Sequence, residues 1–221
     1  MNTLRLRRSA QFAFTLIELL TVITIIAILV GLLLVAIPVA KNMVYKAQAK
    51  EAAVSIVGAV MAYNSDYGRY PLGNKVPDPG SPTDVLFGDA NTSNQVLFDI
   101  LRNVGPDFTT PNQYNPKAVV YLPSRVVADP ANPRSGFATQ DAGTVKKNSF
   151  VDPWGNEYRI AIDADGDNRI SNLPYSDFQG NNAPRVPVGV FSIGKDNLLG
   201  NKGDGAYRKN GTASDDVISW Q

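Results

Sequence analysis

The chain has 221 residues, 44% of them hydrophobic, and a formal net charge of +1, so it is long enough to bury a core in one or two domains. Three arginines, Arg5, Arg7 and Arg8, precede a long apolar run, and the near balance of charge elsewhere predicts no basic surface for nucleic acid. There are no cysteines and no histidines, which excludes disulfides, thiol or histidine catalysis and most zinc or copper sites, so any metal site must be built from oxygen ligands.

The N-terminal region contains an uncharged apolar run from Leu19 to Ala40. As a helix these residues span roughly 33 Å, which matches the hydrocarbon core of a bilayer. A secretory signal peptide is the main alternative, but its apolar stretch is shorter and ends at a small-x-small cleavage site. This run is longer and has no such site, so it predicts a transmembrane helix.

Glu18 is the one charged side chain in the apolar stretch that begins at Phe14 and ends at Ala40. A lone carboxylate deep in a bilayer costs on the order of 2.5–3.5 kcal/mol. It therefore needs either a position near the headgroups or a partner, and position alone leaves both explanations open.

Residues 13–29 read AFTLIELLTVITIIAIL, and this segment resembles the N-terminal signature of type IV pilins and of type II secretion pseudopilins. The resemblance implies that a prepilin peptidase cuts between Ala13 and Phe14 and methylates the new amine, with Ala13 in place of the more frequent glycine. It also implies assembly into a filament through Phe14 and Glu18. There the Glu18 carboxylate of one subunit would pair with the Phe14 ammonium of a neighbour, so that two charges that are costly in an apolar bundle satisfy each other.

The same helix is expected to continue to about Tyr67. Pro38 predicts a kink or a local opening, because proline lacks the backbone N–H. After Lys41 the pattern becomes amphipathic, as in a helix that packs on a globular domain. Gly68 and Pro71 are expected to stop the helix.

The fold class is predicted to be α+β, with the long N-terminal helix, half transmembrane and half amphipathic, packed on a small antiparallel sheet with long loops. We divide the chain into a prepilin leader (1–13), a transmembrane and assembly helix (14–40), the amphipathic half of that helix (41–71), a loop-rich region that carries an insertion (72–150), and the antiparallel sheet with a C-terminal calcium loop (151–221).

Two further segments, Tyr63–Pro71 at the helix exit and Asp152–Tyr158 at the start of the sheet, resemble the major, G-type pseudopilin of type II secretion. Alternation and helical periodicity predict the remaining regular elements. These are strands at 118–122, 158–162 and 189–193, and a short helix at 94–103.

Asp163, Asp165 and Asp167 occupy alternate positions after a predicted strand. This spacing allows a loop to direct several oxygens at one Ca²⁺, as in an EF-hand. The loop departs from that pattern because Asn168 stands at the sharp-turn glycine position and Pro174 stands where the bidentate glutamate belongs. It is therefore a second candidate for calcium, with an acidic hairpin turn as the alternative.

The main candidate for calcium lies nearer the C-terminus. Residues 191–196 and 215–220, separated by a loop rich in glycine and asparagine, resemble the calcium loop of the G-type pseudopilin. The resemblance implies four ligands: the side chains of Asp196, Asp215 and Asp216 and the carbonyl of Ile193. A solvated loop with turn-capping aspartates is the alternative, but a bound Ca²⁺ would order a loop that no disulfide closes.

The resemblance implies a structural subunit and not an enzyme. We expect a pseudopilin of a type II secretion system, made as a single-pass inner-membrane precursor with a cytoplasmic N-terminus and polymerised into a periplasmic filament that drives protein export. Expected partners are further copies of the chain, minor pseudopilins, the prepilin peptidase, the inner-membrane assembly platform and the lipid bilayer. A type IV pilin for adhesion, motility or DNA uptake is the alternative, because both families share the N-terminal signature. A membrane-anchored enzyme is poorly supported, since the sequence has no nucleophile elbow and no phosphate loop.

Overall fold

The computed structural model describes residues 14–75, 84–105, 110–179 and 183–221. It confirms the α+β fold, because a long N-terminal helix is followed by short antiparallel strands. The described residues divide into two units, 14–43 and 44–221. The predicted leader, residues 1–13, lies outside the described residues.

The first helix, α1, runs from Leu16 to Tyr67, which confirms the prediction of one long helix. It ends at Gly68, which has a φ of 66° and donates its N–H to the Asn64 carbonyl at 2.8 Å. A glycine in the left-handed region is a common helix end, because it has no Cβ to clash. The helix continues through Pro38, so of the predicted kink or local opening the structure shows no break in the helix, and the kink stays a prediction. The missing N–H removes a single bond, and the rest of the long helix holds its conformation.

The part of α1 from Val44 onward is amphipathic, as predicted. Its buried side chains recur at intervals of three and four residues, which places them on one face of the helix. They are Ala49, Ala53, Ile56, Ala59, Val60 and Tyr63. This face forms one wall of the main hydrophobic core.

The remaining elements are short. In chain order they are β1 (Val85–Phe87), α2 (Gln95–Leu101), β2 (Gly136–Phe137), β3 (Phe150–Val151), β4 (Arg159–Ile162), β5 (Val188–Ser192), β6 (Arg208–Lys209), β7 (Thr212–Ala213) and β8 (Val217–Ile218). Strands β1, β4, β5 and β8 form the main sheet in that spatial order, and each neighbouring pair is antiparallel. The predicted strands at 158–162 and 189–193 are confirmed as β4 and β5, with ends that differ by one residue.

Both faces of the main sheet are covered, because successive side chains of a strand point to opposite faces. Ile160, Ile162 and Val190 belong to the main core with the buried face of α1. Ala161, Phe191 and Ile218 belong to a second core with Tyr175 and Tyr207. The sheet is therefore buried between the helix and the loops that follow β4 and β5.

The region 72–150 contributes to this core. Its strand β1 is an edge of the main sheet, and its helix α2 confirms the helix predicted at 94–103. The strand predicted at 118–122 is wrong, because Ala118 has a φ of 54° and the Tyr121 N–H donates to the Leu101 carbonyl at the end of α2, at 2.8 Å. The backbone of this segment is therefore bonded to a helix end instead of a neighbouring strand.

The turn before β4 is organised by Asp152, which is fully buried. Its Oδ1 accepts the N–H groups of Trp154, Gly155 and Asn156 at 2.9, 2.7 and 2.9 Å, and its Oδ2 accepts the Ser192 hydroxyl at 2.5 Å. Burial raises the pKa of this carboxyl, and the bonds from Ser192 and the turn oppose that rise. Asp152 thus ties the turn to the end of β5.

Candidate functional site

The start of α1 carries Phe14 and Glu18, two of the predicted processing and assembly residues, whereas Ala13 lies outside the described residues. The N–H and the hydroxyl of Thr15 both donate to Glu18 Oε2 at 2.8 Å, and the Glu18 N–H donates to Thr15 Oγ1 at 3.3 Å. This is a capping box, which satisfies N–H groups that have no partner within the helix. The Thr-x-x-Glu spacing before an apolar run indicates such a cap, and the sequence analysis missed it.

The helix surface in the first unit is apolar on every side. From Leu16 to Met43 the large apolar side chains are 45–83% exposed. One stretch of 18 residues has a mean hydropathy of 3.1, so by length and composition this helix could cross a membrane, although an N-terminal signal sequence meets the same criteria. An apolar surface of this extent indicates contact with lipid or with other protein chains.

Two aspartates of the main calcium candidate, Asp196 and Asp215, lie beside each other. Asp215 Oδ2 accepts the N–H groups of Lys195 and Asp196 at 2.7 and 3.0 Å, and Asp196 Oδ1 accepts the Leu198 N–H at 2.8 Å. Gly194 has a φ of 70°, and a Cβ added there would lie 2.7 Å from Asp215 Oδ2. Only glycine therefore allows this close approach of the carboxylate to the turn after β5.

The third aspartate of this set, Asp216, is 4% exposed. Its Oδ2 accepts the Tyr175 hydroxyl at 2.7 Å and the Gly200 N–H at 2.8 Å. Its Oδ1 is buried and has no hydrogen-bond partner among the described residues. Burial, reinforced by the charges of Asp215 and Asp196, raises the pKa of the Asp216 carboxyl to about 6. When this carboxylate is ionised, its buried Oδ1 lacks the hydrogen-bond donor or cation that would offset the cost of burying the charge.

The C-terminal set fits a hard cation in its chemistry, because all four predicted ligands are oxygen donors and one carboxylate oxygen is unpartnered. The carboxylates of Asp196, Asp215 and Asp216 do not, however, bring their oxygens within 4.8 Å of one another as a group. Ile193, the predicted carbonyl donor, is buried next to this loop. The predicted ligands therefore lie in one region and are engaged mainly with N–H groups of the loop.

The structure brings together only two of the three aspartates of the second calcium candidate. Asp163 and Asp165 form a group with Asp84 in which the ligand oxygens lie within 4.8 Å of one another. Asp167 is not in this group, and its Oδ1 accepts the Arg169 N–H at 2.8 Å. No local sequence pattern indicates Asp84, because the pairing of β1 with β4 brings it to the loop from a distant part of the chain.

Two lysines of α1 bind the C-terminal segment. Lys50 Nζ donates to the carbonyls of Ile218 and Ser219 at 2.8 and 3.1 Å, and Lys46 Nζ donates to the Ser214 carbonyl at 3.4 Å. Burial lowers the pKa of Lys50. These bonds hold both sides of the segment that contains Asp215 and Asp216, a role of the two lysines that was not predicted from the sequence.

Comparison with known families adds one finding at the N-terminus. Residues 8–34 match the family model described as the prokaryotic N-terminal methylation motif. The matched segment includes the predicted cleavage position, Ala13 and Phe14, and the carboxylate of Glu18. No curated protein and no solved structure matches the chain.

Proposed function

We propose that this chain, whose N-terminal methylation motif supports a type IV pilin-like protein, is a pseudopilin that polymerises into a periplasmic filament and drives protein export by a type II secretion system. The motif implies processing by a prepilin peptidase and assembly into a filament, and it indicates a structural subunit. The proposal depends most on Glu18, which stands at the start of a helix whose apolar side chains are exposed on all sides.

The exposed apolar surface of α1 is what a subunit requires if it moves from the membrane into a filament. In a membrane-anchored precursor, the side chains between Leu16 and Met43 would be covered by lipid tails. In a filament, the helices of neighbouring subunits would cover the same side chains. Either cover removes apolar area from water at about 25 cal/mol per Å², so the helix is stable in both places and can pass from one to the other.

Glu18 can serve its own helix and a neighbouring subunit together. The capping bonds use Oε2, and Oε1 is not part of them. After cleavage before Phe14, each subunit would carry an ammonium group at its new N-terminus. An ion pair between that ammonium and Glu18 of a neighbour would neutralise two charges in an apolar bundle and would fix the register of the two subunits.

Support for a pseudopilin comes from the second unit. The two segments that resemble the G-type pseudopilin form the end of α1 (63–71) and the turn around Asp152 (152–158). The chain also has no cysteine with which to close its C-terminal loop. Lys46 and Lys50 fix this loop to α1 by bonds to backbone carbonyls, and a cation could complete the closure.

The proposal therefore includes a Ca²⁺ ion held by Asp196, Asp215, Asp216 and the carbonyl of Ile193. The buried, unpartnered Oδ1 of Asp216 supports it, as does the concentration of three carboxylates around one loop. The ion would supply a positive charge and would hold β8 to the turn after β5. Binding to the folded state alone would stabilise it by about 2.7 kcal/mol when calcium is at 100 times its dissociation constant.

Calcium binding is tested by melting the full-length chain in detergent with excess Ca²⁺ or with EDTA. We expect a higher melting temperature with Ca²⁺ and a smaller calcium-induced rise in Asp216→Asn. Asp129→Asn is the control, because Asp129 is exposed and its contact with the Ala131 N–H can be kept by asparagine. Equal melting temperatures with and without Ca²⁺ would exclude the ion.

Filament assembly is tested with two substitutions that separate the cap from the charge. Glu18→Gln can keep the capping box but has no charge to offer the neighbouring ammonium. Thr15→Ala loses part of the capping box and keeps the charge. We expect membrane insertion in both variants but assembly only in Thr15→Ala. Normal assembly of Glu18→Gln would contradict the ion pair between subunits.

The location of the filament separates a pseudopilin from a pilin. At native expression we expect filaments that stay in the periplasm, and we expect loss of protein export when the gene is deleted. Filaments displayed outside the cell, with export unchanged, would favour the type IV pilin instead.

A further inference from the structure

Three carboxylates from two separate parts of the second unit meet at one end of the main sheet. Asp84 immediately precedes β1 and Asp163 immediately follows β4. These strands are antiparallel with Val85 opposite Ile162, so the residues just beyond this pair are also neighbours. The ligand oxygens of Asp84, Asp163 and Asp165 lie within 4.8 Å of one another. The register of the sheet therefore assembles this group.

Asp84 is 6% exposed, and only one of its two carboxylate oxygens has hydrogen-bond partners. Its Oδ2 accepts the Ser171 N–H at 2.6 Å and the Ser171 hydroxyl at 3.0 Å. Its Oδ1 is buried and no hydrogen-bond donor among the described residues reaches it. A buried carboxylate oxygen without a partner is costly, and here it belongs to a group that contains two further carboxylates.

Asp163 is also buried, and its oxygens accept the N–H groups of Gly166 at 2.8 Å and Asn168 at 2.9 Å. Burial raises the pKa of this carboxyl, and the neighbouring Asp165 and Asp84 raise it further. No salt bridge between described residues involves the three carboxylates, because the two such bridges join Lys146 to Asp141 and Lys209 to Asp204. The group thus concentrates negative charge that no side chain of the described ranges neutralises by an ion pair.

We propose that Asp84, Asp163 and Asp165 bind one Ca²⁺ ion, which links the start of β1 to the loop after β4. All three offer hard oxygen ligands at 2.3–2.6 Å preferred distances, and oxygens on opposite sides of a Ca²⁺ lie about 5 Å apart. Because every pair of their ligand oxygens lies within 4.8 Å, one ion can reach all three carboxylates. Mg²⁺ demands a near-ideal octahedral geometry, whereas Ca²⁺ accepts a flexible arrangement of oxygens, so Ca²⁺ is the better match for carboxylates from two separate chain segments.

The structure explains how this loop could hold an ion in spite of its two departures from an EF-hand. Asn168, at the sharp-turn glycine position, adopts a φ of 65°, which asparagine tolerates better than most residues. Pro174 cannot act as the side-chain ligand of the twelfth position, and Asp84, the residue before β1, supplies a carboxylate from a distant part of the chain. The site is separate from the C-terminal aspartates and does not depend on the proposed secretion function.

The test counts calcium ions bound to the full-length chain in detergent by equilibrium dialysis. Asp84→Asn keeps an acceptor for Ser171 but loses the charge, and it should weaken binding at this site by about tenfold or more. Asp167→Asn is the matched control, since Asp167 lies in the same loop outside the group and asparagine can still accept the Arg169 N–H. We expect Asp84→Asn to bind about one ion fewer than Asp167→Asn. Asp165→Asn, at an exposed position, repeats the test if Asp84→Asn does not fold.

Melting temperatures distinguish a cation site from a purely structural role for Asp84. In EDTA, Asp84→Asn should melt at the same or a higher temperature than the unchanged chain, because it relieves repulsion. In Ca²⁺ the order should reverse. The same measurements in an Asp216→Asn background separate this site from the C-terminal one. An unchanged ion count in both Asp84→Asn and Asp165→Asn, or equal losses in Asp84→Asn and Asp167→Asn, would overturn the proposal.

Discussion

Residues 14–43 and 44–221 place their apolar side chains in opposite environments. In the first unit, the large apolar side chains are 45–83% exposed, and the polar bonds of Thr15, Glu18, Thr21 and Thr24 stay within a turn of the helix. In the second unit, many large aromatic side chains, such as Phe98 and Tyr175, are fully buried. There, polar side chains bridge elements that are far apart in sequence.

This difference indicates where each unit obtains its stability. Helical hydrogen bonds satisfy the backbone of α1 in the first unit, and under the proposed function lipid or other subunits would cover its exposed apolar side chains. The second unit buries its own core, and six buried side-chain polar atoms among its described residues have no hydrogen-bond partner, including one carboxylate oxygen each of Asp84 and Asp216. We therefore expect substitutions in the first unit to affect assembly and those in the second to affect folding.

The largest expected contrast is between Phe98→Ala and Leu29→Ala. Phe98 is fully buried and contacts the rings of Phe137 and Phe150 edge-on at 5.4 and 5.6 Å between centroids. Its loss should lower the free energy of unfolding by about 3–5 kcal/mol. Leu29→Ala should change the melting of the second unit in detergent by less than about 0.5 kcal/mol. Denaturant melts of both full-length variants provide the measurement. Similar losses in the free energy of unfolding would contradict the expected difference between the two units.

A smaller contrast is expected between two carboxylates that cap backbone N–H groups. Asp152→Ala leaves the Ser192 hydroxyl and three turn N–H groups without this acceptor, so it should destabilise the second unit by about 2–3 kcal/mol. Glu18→Ala should leave that melting transition unchanged and impair assembly. Thermal melts combined with an assembly assay would measure both effects, and a destabilised second unit in Glu18→Ala would go against this expectation.

The smallest expected effect is a pH dependence that arises from Asp99. Burial raises the pKa of this carboxyl to about 6, against hydrogen bonds from Asn148 and Gln95 and the charge of Arg102. The folded state then binds the proton more tightly than the unfolded state. The contribution of this group to stability is therefore complete below about pH 4 and is lost as the pH rises through about 6.

Asp99→Asn should remove that loss, which is on the order of 1 kcal/mol once solvent screening is considered. Thermal melts between about pH 4 and 7, in EDTA and with Asp129→Asn as the control, should show a flatter profile for Asp99→Asn alone. Parallel profiles for the two variants would assign the pH dependence to other groups.

Short-range patterns predicted those parts of the fold that depend on neighbouring residues. The apolar periodicity predicted α1, and Gly68 predicted where it ends. The alternation of apolar residues predicted β4 and β5. The strand β1 was missed because three residues carry too little pattern. The strand expected at 118–122 was wrong because its backbone bonds to the distant end of α2.

The candidate sites show the same limit. Asp163 and Asp165 were found from their spacing, whereas Asp84 joins them only through the register of β1 and β4. Asp167 has the spacing of a ligand, but its position within the turn leaves it outside the group. Sequence spacing thus identifies ligands within one loop, and the sheet decides which distant residue completes the set.

The central claim is that Phe14 becomes the first residue of an assembly helix. It is tested most directly by mass spectrometry of the N-terminal peptide from the mature protein, purified from its natural host. We expect the peptide to begin at Phe14 and to carry the mass of one added methyl group. A peptide that still contains residues 1–13, or one that begins at another position, would contradict this account.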